Sequence, residues 1–119
     1  MLKSCIEYLK EDVLVNDEIV CCLIHTDLKK DKSIKKILNK YFNANYDIID
    51  ILDKNQNQIT KENFKIIENK ILQINCFAVK ILSLIENKTY SEEITEEIDR
   101  MIGTCQNLNE SVDAIKQLI

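Results

Sequence analysis

Residues 94–119, ITEEIDRMIGTCQNLNESVDAIKQLI, carry apolar side chains at Ile94, Ile98, Met101, Cys105, Leu108, Val112, Ile115 and Ile119. The spacings alternate 4, 3, 4, 3, 4, 3, 4, an unbroken heptad seam that puts these side chains on one stripe of an α-helix. Phe64, Ile67, Ile71, Ile74, Ala78, Ile81 and Ile85 repeat the pattern upstream. Two long apolar stripes joined by a short polar stretch predict an antiparallel helix pair, roughly 60–87 and 91–119. Thr89 followed by Glu92 fits a capping box, and Glu92, Glu93, Glu96 and Glu97 load the start of the last helix with charge that its dipole stabilises. From Ile71 onward the apolar positions widen to Leu72, Cys76, Phe77, Val79, Leu82 and Leu84. Such a helix is expected to be central, with partners on more than one side.

The N-terminal half reads as shorter pieces. Leu2, Ile6, Leu9 and Val13 give a short amphipathic helix over residues 2–14. Asn16 is a plausible N-cap for a second, with Asp17 and Glu18 at its positive end, and that helix is expected to end near Thr26 to Leu28. Ile34, Ile37, Leu38 and Tyr41 underlie a third, with Ser33 as its cap. Asn43 and Asn45 then suggest a break before a short turn of helix at Tyr46, Ile49 and Leu52. The expected fold is therefore all-α: a small helical bundle, one domain over residues 1–119, with two long antiparallel C-terminal helices and three or four short N-terminal ones.

Composition supports this. The chain has no proline and one glycine, Gly103, so the turns of β-hairpins are almost unavailable. A chain of 119 residues buries roughly two thirds of its unfolded surface, enough for a core without staples. Net charge is −4, with a single arginine, which argues against a general polyanion binder. Residues 1–15 contain Glu7, Glu11 and Asp12 where a signal peptide needs an apolar run, so the expected location is cytoplasmic, with the five cysteines reduced. The most apolar run, Ile71 to Ile85, is broken by polar residues and too short for a bilayer, so no membrane association is expected.

Four groups of residues bear on function. Cys21 and His25 lie four apart on a helix beside Cys22, a spacing that suits two metal ligands on one face, but zinc needs two more and no Cys-x-x-Cys pair is present. Packing cysteines are the preferred reading, with no cofactor and no enzymatic activity expected. His25-Thr-Asp-Leu-Lys-Lys resembles the phosphate-accepting helix of histidine phosphotransfer domains but lacks the small glycine beside the histidine. Asp53-Lys-Asn55-Gln-Asn57-Gln58, followed by Ile59 and Phe64, resembles a degenerate EF-hand calcium loop. The glycine at position 6 and the glutamate at position 12 are replaced, and an Asn-rich interhelical turn is the preferred reading. Finally, Lys29, Lys30, Lys32, Lys35, Lys36 and Lys40 form a basic run with only Asp31 against it. Without arginine it has little means of reading bases, which disfavours nucleic acid.

These features lead to the expectation of a non-catalytic protein-interaction module of adaptor, inhibitor, immunity or chaperone type. Lys29, Lys32 and Lys36 on one face, and Leu108, Val112, Ile115 and Ile119 on the last seam, are the expected partner-binding residues. A seam running to the last residue invites self-association as a homodimer; the alternative is that Leu2, Ile6 and Leu9 cover it within one chain. A metal-binding bundle using Cys21, Cys22 and His25, and a nucleic-acid-linked regulator using Lys29 to Lys40, are the competing readings.

Overall fold

The computed structural model describes residues 1–119. It contains four α-helices: α1 (Leu2–Ile24), α2 (Lys32–Lys54), α3 (Lys61–Ile85) and α4 (Glu92–Leu118), with a single 3-10 turn at Asp27–Lys30 between α1 and α2. No helix is long and apolar enough to cross a membrane. The molecule measures 43 × 20 × 19 Å, so the helices run its full length side by side.

Three of the four helices start where a side chain satisfies free N–H groups; α1, which begins after Met1, has no side-chain cap. Asp31 Oδ1 accepts from the Ser33 and Ile34 amides at 2.9 and 3.2 Å, so Asp31 and not Ser33 caps α2. Thr60 and Asn63 form a reciprocal capping box at α3. Ser91, two residues beyond Thr89, caps α4 through the Ile94 amide. The backbone bonds that close the α2–α3 turn include Asn57 N–H to Leu52 O at 2.7 Å and Gln56 N–H to Asp53 O at 3.3 Å. That closure requires left-handed backbone, and Gln56 and Asn57 have φ of 54° and 61°.

The expected short N-terminal helices are instead two continuous helices of 23 residues each. The reason lies in their seams. Ile6, Leu9, Val13, Asn16, Val20 and Leu23 line α1 inward at heptad spacing, and Ile34, Leu38, Tyr41, Asn45, Ile48 and Leu52 do the same on α2. Each seam has one asparagine, and the two meet in the core: Asn16 Nδ2 donates to Asn45 Oδ1 at 3.3 Å. A polar residue that resembles a helix break is here a buried, paired seam position.

The helices form a ring in which α1 neighbours α2 and α4, and α3 neighbours α2 and α4. Cross-links read the directions. Lys10 meets Asp53 while Asn16 meets Asn45, so α1 and α2 run antiparallel; Glu68–Lys116 and Asn75–Asn109 show the same for α3 and α4. Of the four neighbouring pairs, α3 and α4 touch least, while α4 packs chiefly on α1 and α3 on α2. Thus α3 is a corner of the ring and not its centre, and its widened apolar surface is left partly uncovered. Leu72 is 57 % exposed and Val79 64 %.

Candidate functional site

The C-terminal seam is part of the core. Leu108 and Ile115 are fully buried and Val112 nearly so within one chain, with Ile119 partly buried at the edge. Leu2, Ile6 and Leu9 of α1 belong to the same cluster, so the N-terminal helix provides the cover that a second copy would otherwise supply. The seam is not an open surface.

Lys29, Lys32 and Lys36 are exposed and make no ion pair, whereas Lys30 pairs with Asp27. The first turn of α2 has no acidic residue, so the lysines there sit against the helix dipole and only the Asp31 cap offsets them. Asp31 is itself held by Lys88 at 3.0 Å, a contact that with the two backbone amides keeps its carboxyl below the usual carboxylate range.

Among the cysteines, Cys22 and His25 line one hollow of about 320 Å³ with Asp27, Ser91 and Glu93, while Cys21 lies outside it. No group of three His, Cys, Asp or Glu side chains converges on a common point. Burial pushes the Cys22 thiol up, Glu97 and Glu93 push it further and Arg100 offsets them in part, so the surroundings favour the thiol over the thiolate. That is the opposite of what a Cys-His nucleophile or a thiolate ligand needs.

The Asn-rich loop has an occupant. Lys10 Nζ donates to Asp53 Oδ1 at 3.2 Å and to Asn57 Oδ1 at 2.9 Å, so an ammonium from α1 sits between two of the oxygens that an EF-hand would turn on calcium. The third, Asn55, is turned away and donates its amide to Ile51 O at 2.7 Å. The loop is a latch between α1 and the α2–α3 turn.

An apolar surface with no such internal partner lies on α3 and along its seam with α4. Residues 71–79, ILQINCFAV, contain no charge. Their inward positions Ile71, Ile74 and Ala78 are buried, but Leu72, Cys76 and Val79 follow one another at helical spacing on the outside, and Cys76 is the only exposed cysteine. Because α3 and α4 touch sparingly, the seam holds two hollows. One of about 560 Å³ has Ile71, Leu72 and Val112 in its lining; the other, about 310 Å³, has Leu82, Ile98 and Ile102. Val79 lies between them along the helix, and Asn75 and Asn109 span the seam, hydrogen-bonded at 2.8 Å. The widening of the apolar pattern at Ile71 was the signal for this surface in the sequence: Phe77, Leu82 and Leu84 pack against the core, while Leu72, Cys76 and Val79 are left uncovered.

Comparison with models of known protein families, with curated proteins and with solved structures finds no significant match to this chain.

Proposed function

We propose that this chain is a non-catalytic protein-interaction module whose working face is the outward side of α3 and its groove with α4. The observation that carries this is the Leu72, Cys76, Val79 stripe, uncovered beside the hollows of the α3–α4 seam. Burying one such side chain is worth about 1.5–3 kcal/mol, so a run of them left in water beside hollows is the kind of surface another protein covers. The separation of Cys21 from the Cys22–His25 hollow and the Lys10-filled loop support this reading over the metal-binding one. The exposed lysines of α2 present a second, charged surface.

Cys76 makes the proposal testable in place. A photo-crosslinker attached there, with the other cysteines changed to serine or alanine, is expected to trap a discrete partner in host extract. Leu72→Gln with Val79→Gln is expected to abolish the adduct, and a crosslinker moved to position 4 on α1 is expected to give none. Equal labelling from both positions, or an adduct that survives the double substitution, overturns the proposal. A second copy of the chain as the trapped species is recognised by its mass.

A further inference from the structure

We infer that the α3–α4 groove takes a basic amphipathic helix of a partner protein. This rests on the reading of that face as a docking surface and adds the chemistry of the occupant. Shape gives the first part. From Glu68 to Glu86 the two hollows lie along ~27 Å of α3 at 1.5 Å per residue, a length that a helix of about 18 residues matches. Leu72 and Leu82, which line the two hollows, and Val79 between them recur at helical spacing on one side of α3. An amphipathic helix presents side chains at three- and four-residue intervals to such a row.

Charge gives the second part. The rim carries Glu68 and Asp113 at one hollow and Glu86 and Asp99 at the other, with Lys116 and Lys88 as the rim lysines. Both lysines are engaged: Lys116 with Glu68 at 3.4 Å, Lys88 with Asp31 at 3.0 Å. Asp113, Glu86 and Asp99 are exposed and make no ion pair. Lys80, adjacent to Val79 in sequence, lines neither hollow. Apolar side chains set between unpaired carboxylates complement a helix with lysine or arginine flanking its apolar stripe, and oppose an acidic one. The chain's own basic helix start does not compete, because Ile34, Leu38 and Tyr41 beneath the lysines are already in the core.

The test uses the full chain and two synthetic helical peptides of about 18 residues with the same leucine stripe, one with lysine and one with glutamate on the polar face, read by fluorescence anisotropy. The lysine peptide is expected to bind at least about tenfold more tightly than the glutamate peptide, and to weaken as salt is raised. Asp99→Lys with Asp113→Lys is expected to cancel the preference, while Glu11→Lys with Glu18→Lys on the outer face of α1, the same change in net charge, leaves it within about threefold. Equal binding of the two peptides, no binding of either, or an equal loss from the α1 control overturns the inference. If Leu72→Gln with Val79→Gln abolishes binding while charge reversal at the groove does nothing, the docking face stands and only the basic character of the occupant is wrong. If that double substitution leaves binding untouched, the face itself is wrong. Light scattering identifies a second copy as the occupant, which also overturns the inference.

Discussion

The Tyr41 hydroxyl lies 3.2 Å from the Cys105 sulfur, joining α2 to α4 across the diagonal of the ring, and donates to Asn16 Oδ1 at 2.8 Å. Its proton is thereby committed to Asn16, so the thiol is the donor to the tyrosine oxygen. The chain continues from Asn16 Nδ2 to Asn45 Oδ1 and from Asn45 Nδ2 to Val13 O at 3.0 Å, and no buried side-chain polar atom is left without a partner. One directed row of hydrogen bonds therefore crosses an otherwise apolar core and fixes how three helices align.

Tyr41→Phe keeps the ring and removes the oxygen, leaving Asn16 Oδ1 without its donor and the Cys105 thiol without its acceptor. Leaving a buried polar group unpaired costs about 1–3 kcal/mol. Urea unfolding is expected to show a loss in that range with an unchanged slope. A loss below about 0.5 kcal/mol would mean that the row contributes little to stability.

The asparagine pair separates stability from alignment. Asn16→Leu alone is expected to destabilise, because Asn45 and Tyr41 both lose a buried partner. Asn16→Leu combined with Asn45→Leu and Tyr41→Phe is expected to recover most of that loss, since an apolar set can replace a satisfied polar one. The recovered protein should show broadened core resonances in its NMR spectrum, as expected of helices free to slip by a turn. Sharp, singly populated resonances there would count against the alignment role.

How much of this was legible in the sequence turns on the same residues. The α3 and α4 seams were readable because every seam position from Phe64 to Ile81 and from Ile94 to Ile115 is apolar, and all of these seam residues are buried. The α1 and α2 seams were not, because a lone asparagine in a helical pattern also fits a cap or a break, and only the partner across the core decides. Leu72 and Val79 raised the converse difficulty: apolar residues on a helix's outer face look the same in sequence whether a neighbour covers them or not.

Gln56 holds φ at 54°, in the left-handed region where a side chain is unfavourable and glycine is not. Gln56→Gly is expected to raise stability by about 0.5–1 kcal/mol, read as a small upward shift of the melting midpoint. Gly103→Ala provides the helix-interior comparison. No atom stands within 4 Å of an added Cβ there, so the gain should again be about 1 kcal/mol, this time from helix propensity.

Burial raises the Cys105 thiol and, more strongly, the Tyr41 phenol above their ordinary values. The unfolded chain gives up these protons at lower pH than the folded one. Above the ordinary thiol value of about 8.5 the unfolded state therefore binds fewer protons, and stability falls as pH rises. Melting midpoints are expected to be flat in this respect below about pH 8 and to decline above it. Cys105→Ala should remove part of that decline, and an unchanged slope in the variant would assign it to other groups.

Ile115 and Leu72 test the placement of the two apolar surfaces against each other. Ile115 is fully buried, so Ile115→Gln places an amide in the core without a partner, at a cost of about 2–4 kcal/mol from lost burial and unmet hydrogen bonds. Leu72 is 57 % exposed, so Leu72→Gln should change stability by no more than about 0.5 kcal/mol. In light scattering at high concentration, the first variant is expected to differ from the parent only as far as it unfolds. The second is expected to stay folded and to associate less wherever the parent associates at all. A mild effect at Ile115, with a change of assembly size, would instead return the C-terminal seam to the surface and displace the α3–α4 groove as the interaction face.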